Sequence, residues 1–413
     1  MKKYVYGAFA LFFALLSGVF NPAYGCTSVV VSGKITRDGR PLLWKNRDTD
    51  YVQNAVKYFT GQKYSFIAIV NSAQADPDEI WIGTNSAGFS IMNTQSYNLV
   101  EIKPGEERGA ANGRVMRRAL EVCGTVDDFK VFLDTLSKPS LIEANFGVID
   151  AQGGAAMFEV GYYDYTMFDA NDPKDAPLGY VARTNFSFSG ELNGGSGYVR
   201  YMNEDVELMR VCATGGITPA WIFSDLSRCF KNQMLGIDLK DGAYNTPRTT
   251  GWFLDKDFIP RKSTGSAVVV QGVKKGEDPS LTVMWTLLNY PPAGVAVPLW
   301  VKNAGKIPPM MLRDAKTGVS PLCDKAMSLR NRIFSYRQGS GTGDYFNWEL
   351  IYNPQGTGCM QLLAPVERAI FERSQKTIDG WYAAGEVDVK QMNELYAWLE
   401  KYVTESYDRL FGL

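Results

Sequence analysis

The chain has 413 residues, of which 45% are hydrophobic and 21% are charged, and its formal net charge at pH 7 is −1. This length and apolar content allow one large domain or two modest ones with a buried core, and the near-neutral charge argues against a nucleic-acid partner or a polybasic membrane patch. The sequence contains no histidine, which excludes catalysis by a Ser-His-Asp triad or a Cys-His pair, and no metal or cofactor site is expected because a CxxC spacing is also missing.

The N-terminus has the pattern of a bacterial secretory signal peptide, with two lysines near its start, an apolar core over residues 8–19 and small residues just before Cys26. This order of features predicts cleavage between Gly25 and Cys26. The sequence therefore predicts a signal peptide over residues 1–25 and a mature protein exported to the periplasm or the cell exterior. No later stretch reaches the roughly 20 apolar residues that a membrane helix needs.

Cys26 would be the first residue of that mature protein. A cysteine in this position carries its own base, because a free α-amine has a pKa of ~7.7–8.0 and lies within reach of its own sulfur. The alternative is a lipoprotein, in which a lipid on Cys26 anchors an exported binding or structural domain. Tyr24 fits a lipidation motif poorly, and the β-branched run at residues 29–31 follows without the flexible tether that anchored domains usually have. The sequence thus favours a nucleophile over an anchor.

Six cysteines follow the predicted signal peptide, at positions 26, 123, 212, 229, 323 and 359. If Cys26 is a nucleophile, five remain, and at least one of these is unpaired. Export permits disulfides, and the sequence leaves Cys212–Cys229 and Cys323–Cys359 as candidate pairs.

Strand patterns bounded by turn residues dominate the chain from Cys26 to about Asn185. They predict strands over residues 29–32, 41–44, 64–70, 79–82, 88–93, 146–149, 156–160, 163–168 and 180–184. A hairpin turn is indicated at residues 36–39, and helical spacing covers residues 108–136 with a break at Gly124.

Helical patterns become more frequent after this region. Helices are expected over residues 206–212 and 220–230, and a pair of strands over residues 267–271 and 281–287. From residue 364 onward, apolar residues recur at helical spacing and predict two amphipathic helices. Many antiparallel strands with few helices, and a nucleophile on the first strand, predict an α+β protein in which sheets pack face to face with helices outside.

Short motifs in a fixed order resemble those of the N-terminal-nucleophile (Ntn) hydrolases that act on linear amides. The motifs are Cys26-Thr27-Ser28, Asp38-Gly39, Lys45-Asn46-Arg47-Asp48, Asn85-Ser86-Ala87-Gly88-Phe89 followed by Asn93-Thr94, and Arg183-Thr184-Asn185-Phe186. They are similar to motifs of the choloylglycine hydrolase and penicillin V acylase family, acid ceramidase, isopenicillin-N acyltransferase and the dipeptidase A group. The resemblance extends from residue 26 to about residue 200 and weakens beyond it.

This resemblance implies a four-layer αββα sandwich of antiparallel sheets. It places the catalytic domain over residues 26–345 and an added C-terminal helical pair over residues 346–413. The implied reaction is hydrolysis of, or acyl transfer at, the linear amide bond of a small N-acyl or peptide substrate, without a cofactor. Bile-salt conjugates, N-acyl amino acids, dipeptides and β-lactam side chains all remain open as substrates.

The resemblance also implies roles for four polar residues of the site. Cys26 is the nucleophile, and Asp48 holds its α-amine or its sulfur. Asn185 donates its side-chain amide to the scissile carbonyl or positions the Cys26 amine. Asn93, beside backbone N–H groups, is the expected donor to the oxyanion, with Gln95 as the alternative.

Three cations are candidates for the same site. Lys45 stands where most relatives have arginine, and its positive charge still lowers the pKa of a neighbouring thiol although the guanidinium fork is missing. Arg47 is the alternative, because a flat strand places Lys45 and Arg47 on one face and Asp48 on the other. For Lys45 and Asp48 both to reach Cys26, the strand must kink or end near residue 46. Arg200, in an S-x-x-x-R segment, resembles an arginine that supports the site in relatives.

Overall fold

The computed structural model describes residues 25–102, 108–109, 111–241, 251–336 and 345–413. All of the predicted signal peptide except Gly25 therefore lies outside the described residues. Within those ranges, no helix combines the length and the apolar character needed to cross a membrane.

The described residues contain many short strands and a smaller number of long helices. In chain order the strands are β1 (Thr27–Val31), β2 (Leu42–Asp48), β3 (Asn54–Phe59), β4 (Phe66–Asn71), β5 (Ile82–Asn85), β6 (Ser90–Gln95), β7 (Ala144–Ile149), β8 (Ala155–Val160), β9 (Tyr165–Asp169), β10 (Tyr180–Arg183), β11 (Lys231–Asn232), β12 (Ile237–Asp238), β13 (Trp252–Leu254), β14 (Thr264–Gln271), β15 (Val283–Leu288), β16 (Val297–Leu299) and β17 (Tyr345–Asn347). The longer helices are α1 (Asn112–Val122), α2 (Val126–Asp134), α3 (Tyr198–Cys212), and three later ones over Pro321–Ile333, Cys359–Ala384 and Val389–Phe411.

Two antiparallel sheets organise the fold. The first sheet has the strand order β10-β1-β2-β14-β15-β16, and the second has the order β3-β4-β5-β6-β7-β8-β9. Strand β1 therefore lies inside the first sheet, with β10 on one side and β2 on the other. Cys26, directly before β1, is held at the end of a strand that is hydrogen-bonded on both edges.

The alternation of side chains along each strand produces four layers. In β4, Ile67 and Ile69 belong to the core between the two sheets, whereas Phe66, Ala68 and Val70 pack on the opposite side beneath α1 and α2. This separation follows from the two-residue period of a strand. Strands β1 and β2 face β6 and β7 of the other sheet, and α3 packs outside β1 and β10. The described chain is thus a four-layer αββα sandwich, as the sequence predicts.

The two C-terminal helices add to the layer outside the first sheet. Phe371, in the helix Cys359–Ala384, stacks on Trp285 of β15 with ring centroids 4.3 Å apart. Glu367 of the same helix forms a buried ion pair with Arg228. These helices confirm the predicted C-terminal pair and share one hydrophobic core with the first sheet, while the boundary at residues 345 and 346 stays a prediction.

Several expectations from the sequence need correction. Strand β3 and the helix Pro321–Ile333 are not among the predicted elements, and the helix expected over residues 220–230 is a short α-helical turn followed by the π-helix Ile222–Leu226. The break at Gly124 is correct, because Thr125 caps α2 through a reciprocal bond with Asp128.

The candidate disulfides are wrong. All six cysteines lie among the described residues, and each is a free thiol. The Cys323 sulfur donates to the carbonyl of Val52, and the Cys359 sulfur donates to the carbonyl of Pro292. These thiols are therefore packed against the main chain of other segments rather than against each other.

Candidate active site

Cys26 lies at the end of the first sheet and is 7% exposed. Its sulfur donates a long hydrogen bond of 3.8 Å to the main-chain oxygen of Asp48. In the pairing of β1 with β2, Ser28 lies opposite Lys45, so Cys26, two residues before Ser28, is on the same face as Lys45 and Arg47. This is the face that points towards the second sheet.

Lys45 is buried between the two sheets, with 1% of its surface exposed. Its Nζ donates to Asn93 Oδ1 at 2.8 Å and to the main-chain oxygen of Trp81 at 3.0 Å. The pKa of Lys45 is lowered to about 8, because the effect of burial, the largest cause, and that of the positive charge of Arg47 exceed the opposing effect of Cys26. An amine with this pKa exchanges its proton near neutral pH.

Arg47 lies beside Lys45 and its guanidinium stacks 4.3 Å above the Trp81 ring. It donates to Asn54 Oδ1 at 2.9 Å and to Thr49 Oγ1 at 3.2 Å. Burial lowers the pKa of Arg47 to about 10. The sequence does not distinguish Lys45 from Arg47 as the cation of the site, because both lie on the face of β2 that Cys26 shares.

The Asp48 side chain takes a different direction from Lys45. Strand β2 neither kinks nor ends near residue 46 but continues to Asp48, and a register shift occurs instead in the partner strand between Thr264 and Ser266. The Asp48 carboxylate accepts hydrogen bonds from Arg261 and from Thr264 Oγ1. With Gly25 still joined to Cys26, the sulfur contacts the Asp48 main chain, and a contact between the carboxylate and a free Cys26 amine stays a prediction.

Arg200 and Asn185 fix the main chain around Cys26. Arg200 is 3% exposed, and its Nη1 donates to the Cys26 carbonyl at 2.6 Å and to Thr27 Oγ1 at 2.9 Å. Its Nη2 donates to Asn185 Oδ1 at 2.8 Å, while Asn185 Nδ2 donates to the main-chain oxygen of Gln95. Burial, followed by the charge of Arg261, lowers the pKa of Arg200 to about 10. Arg200 is therefore an internal support of the strand end and not a solvated side chain.

The chain before α3 is shaped to admit this arginine. Gly197 has a φ of 90°, a conformation that residues with a side chain rarely adopt. A methyl group at this position would overlap with Arg200 Nη2. The glycine thus allows α3 to begin where the first helical turn carries Arg200 back to the start of β1.

Asn93 and Gln95 differ in their surroundings. Asn93 Oδ1 accepts the bond from Lys45, which places its side chain in the cluster beside Cys26. The Gln95 side chain donates to the carbonyls of Ser96 and Glu143 and accepts a bond from the amide of Asn112. Of the two, the geometry favours Asn93 as a polar residue of the site, and its role as oxyanion donor stays a prediction.

Two residues near Cys26 are not predicted from the sequence. Arg261 donates through Nε and Nη2 to Asp48 and through Nη2 to the carbonyl oxygen of Gly25 at 2.6 Å. The pKa of Tyr97 is raised to about 12, first by burial and then by the charge of Cys26. No sequence signal marks Arg261, because it is separated from Asp48 by 213 positions along the chain.

A cavity of about 590 Å³ opens beside the two arginines. Its wall includes Arg200, Arg261, Gly197, Thr49 and Asp255. The cavity adjoins the Gly25–Cys26 bond, because Arg200 binds the Cys26 carbonyl and Arg261 binds the Gly25 carbonyl. Among the residues that the structure describes, no group of acidic or sulfur-containing side chains could hold a metal ion.

Part of the chain matches a known protein family. Residues 35–199 match the family described as acyl-coenzyme A:6-aminopenicillanic acid acyl-transferase. The match covers less than half of the chain. The matched segment begins after Cys26 and ends one residue before Arg200, so it contains Lys45, Asp48 and Asn185.

The solved structures to which the chain is similar share little sequence with it. A mutant of the conjugated bile acid hydrolase from Clostridium perfringens is 12% identical, with 64% of this chain and 89% of that chain covered and a TM-score of 0.36. Penicillin V acylase from Agrobacterium tumefaciens is 11% identical, with coverage of 67% and 87% and a TM-score of 0.38. An N-acylethanolamine-hydrolyzing acid amidase ortholog from Caenorhabditis elegans is 15% identical, with coverage of 45% and 79% and a TM-score of 0.34. No curated protein matches the chain.

Proposed function

We propose that the mature protein begins at Cys26, is exported, and hydrolyses or transfers the acyl group of a small linear amide. The observation that carries the proposal is the convergence of polar groups on one strand end. Arg200 binds the main chain of Cys26, and Lys45 and Asn93 are paired on the face that Cys26 shares. A thiol surrounded by cations is the environment in which cysteine acts as a nucleophile.

The reaction follows from the groups at the strand end. Once Gly25 is removed, the free amine of Cys26 accepts the proton of its own thiol, directly or through a water molecule. The thiolate attacks the amide carbonyl, and Asn93 together with main-chain N–H groups donates to the oxyanion. Collapse of the tetrahedral intermediate breaks the C–N bond as the leaving amine takes the proton from the Cys26 ammonium. Water, or an acceptor amine, then releases the acyl group from sulfur and regenerates the thiol.

Asp48 and Asn185 would keep the nucleophile oriented through these steps. The Asp48 carboxylate is fixed by Arg261 and Thr264 next to the position of Gly25. Removal of Gly25 leaves the new amine of Cys26 in this neighbourhood, where a carboxylate oxygen accepts a hydrogen bond from the amine and orients it. Asn185 is held by Arg200 on the other side, and an asparagine donates hydrogen bonds without titrating.

The test is turnover of a panel of linear amides by the mature protein and by Cys26 variants. The panel contains N-acyl amino acids, bile-salt conjugates, dipeptides and N-acylated β-lactams. We expect Cys26→Ala to abolish turnover and Cys26→Ser to keep a trace, because a hydroxyl is the weaker nucleophile. Cys212→Ala, which changes a free thiol at the C-terminal end of α3, is the matched control. Wild-type turnover by Cys26→Ala would refute the proposal.

A further inference from the structure

Before any cleavage, Gly25 is joined to Cys26 by a peptide bond. The nitrogen of Cys26 is therefore an amide nitrogen, which does not act as a base at neutral pH. The sequence contains no histidine that could replace it. If the chain releases its own leader at the Gly25–Cys26 bond, the thiol proton must go to another group.

Most titratable groups around Cys26 are unsuitable as a base. Arg47 and Arg200 keep pKa values of about 10 despite burial, so both are cations at neutral pH. The Asp48 carboxylate is occupied by hydrogen bonds from Arg261 and Thr264.

Tyr97 is unsuitable for a different reason. Burial, followed by the negative charge of a Cys26 thiolate, raises its pKa to about 12. Its phenol therefore holds its proton at every pH at which the other groups of the site react.

Lys45 differs from these groups in its hydrogen bonds as well as in its charge. Its Nζ has two acceptors, the Asn93 side-chain oxygen at 2.8 Å and the Trp81 carbonyl at 3.0 Å. A neutral amine has two N–H donors, so it satisfies both acceptors and keeps its lone pair for another group. Because the residue is 1% exposed, water does not compensate for a charge there. These two hydrogen bonds therefore accommodate the neutral form of Lys45, which lies on the face that Cys26 shares.

Some charged groups around Lys45 lower its pKa and others raise it. On its own strand, Arg47 favours the neutral amine and Asp48 favours the ammonium, and the Cys26 thiolate on the neighbouring strand also favours the ammonium. The Nζ atom of Lys45 contacts two uncharged groups on the side of the second sheet. They are the Asn93 side chain on β6 and the carbonyl of Trp81, directly before β5. Lys45 thus gains affinity for a proton at the moment when Cys26 loses one.

We propose that Lys45 is the base that starts self-cleavage of the Gly25–Cys26 bond. The neutral Lys45 amine takes the thiol proton, and the thiolate attacks the carbonyl carbon of Gly25. Arg261 Nη2, 2.6 Å from the Gly25 oxygen, donates to the oxyanion that forms. The C–N bond then breaks as Lys45 returns the proton to the Cys26 nitrogen, which leaves a thioester between Gly25 and the Cys26 sulfur. Water hydrolyses the thioester and releases the Gly25 carboxylate, a free thiol and the N-terminal amine.

This inference rests on the proposed function, because it supplies the free Cys26 amine that the amide hydrolase needs. The inference depends on a lysine at position 45, because a guanidinium in its place supplies charge but does not accept a proton near neutral pH.

The experiment follows leader release from the full chain, synthesised in a translation system without membranes or signal peptidase. Mass spectrometry records the new Cys26 N-terminus over time between pH 6 and pH 10. For wild type we expect the rate to rise about tenfold per pH unit below pH 8 and to level off above it. Lys45→Arg should slow release by about 100-fold or more and remove the plateau, so that the residual rate keeps rising with hydroxide concentration.

Two controls separate chemistry from folding. Lys57→Arg changes a strand lysine that also donates to a main-chain carbonyl, that of Ala75, and should release its leader at the wild-type rate. Lys45→Met should be as slow as Lys45→Arg, and tryptophan fluorescence shows whether each precursor is folded. A wild-type rate and pH profile in folded Lys45→Arg would overturn the proposal, and so would a folded wild-type precursor that stays intact.

The proposed function is tested independently in the same series. A chain that begins with methionine followed by Cys26 loses that methionine to methionine aminopeptidase and needs no self-cleavage. If this form hydrolyses amides while folded Lys45→Arg precursors mature normally, only the role of Lys45 fails. If it is inactive although wild-type precursors cleave themselves in the predicted way, the amide hydrolase proposal fails instead.

Discussion

Arg261 and Asp48 form an ion pair that reaches the residue before the candidate nucleophile. The Asp48 side chain is 1% exposed and that of Arg261 is 17% exposed. Burial is the largest single effect and lowers the pKa of Arg261, but the charge and hydrogen bond of Asp48, with smaller effects of Asp255 and Cys26, together make the net shift upward. The same Nη2 that contacts Asp48 also donates to the carbonyl of Gly25. One arginine therefore links the end of β2 to the Gly25–Cys26 bond, at which we propose cleavage.

Breaking this pair should destabilise the protein strongly. Arg261→Met leaves the buried Asp48 carboxylate without its cation, and removal of one partner of a buried pair costs about 3–5 kcal/mol. The double variant Asp48→Asn with Arg261→Met should recover part of this loss, because no charge is then left unpaired. Urea unfolding of wild type, Arg261→Met, Asp48→Asn and the double variant measures the coupling energy between the two residues. Additive effects of the two substitutions would contradict the pairing.

Gly25→Ala should block maturation in the folded precursor. A methyl group at residue 25 would overlap with Arg200 Nη2 and with Asn185 Oδ1. Signal peptidases accept alanine before the cleavage site, so the substitution separates the two routes of leader removal. We expect little release of the Cys26 N-terminus from Gly25→Ala and normal release from Gly305→Ala, where a methyl group meets open space. Normal maturation of Gly25→Ala would assign the cleavage to a peptidase.

The stability of the Lys45→Met variant should differ from wild type in a pH-dependent way. The pKa of Lys45 falls from 10.5 in the unfolded chain to about 8 in the folded protein. Between these values the unfolded state binds more protons, so wild-type stability rises with pH in this window. Between pH 8 and pH 10.5, the free energy of unfolding of wild type should rise by roughly 3 kcal/mol relative to that of Lys45→Met. Parallel stability curves for the two proteins, from urea unfolding across this range, would show that burial does not shift the Lys45 amine.

Glu204 offers a second buried group whose titration can be tested. It is fully buried on α3, one turn after Arg200, and neither carboxylate oxygen has a hydrogen-bond partner among the described residues. Burial, followed by the negative charge of Asp205, raises its pKa well above the usual value. The folded protein therefore holds a proton that the unfolded chain releases, and wild-type stability falls as pH rises from the usual carboxyl pKa towards the raised one.

Replacing Glu204 by glutamine should remove this loss of stability at higher pH. We expect Glu204→Gln to unfold at a higher urea concentration than wild type at pH 7, by roughly 1–3 kcal/mol, and to differ little at pH 4. Glu207→Gln, which changes a carboxylate on the same helix that is paired with Lys231, is the control and should not show the same pattern. If the stability difference between Glu204→Gln and wild type is the same at pH 4 and at pH 7, Glu204 is charged in the folded protein.

Local patterns predict the elements that place the nucleophile. The valine run after Cys26 predicts β1, and the two-residue period of β2 correctly places Lys45 and Arg47 on one face. The cap at Thr125 also follows from short-range chemistry. These features depend on residues within a few positions of each other, which is the range that propensity and alternation describe.

The remainder of the site depends on contacts between distant segments. Arg261 and Thr264 reach Asp48 from β14 and the turn before it, more than 200 positions along the chain. Their arrangement is set by the insertion of β14 beside β2 in the sheet, which no local pattern records. Free Cys323 and Cys359 illustrate the same limit, because an export signal permits disulfides but only packing decides whether two sulfurs meet.

The role of Cys26 as nucleophile is tested most directly by mass spectrometry of the peptide that begins at Cys26. The peptide is isolated from the mature protein before and immediately after mixing with a chromogenic N-acyl anilide that the protein turns over. We predict an unmodified Cys26 with a free amine before mixing, and an added acyl mass on the Cys26 sulfur, sensitive to hydroxylamine, during turnover. A diacylglyceryl group on Cys26, or anilide turnover with Cys26 never acylated, would contradict the claim that Cys26 is an N-terminal nucleophile.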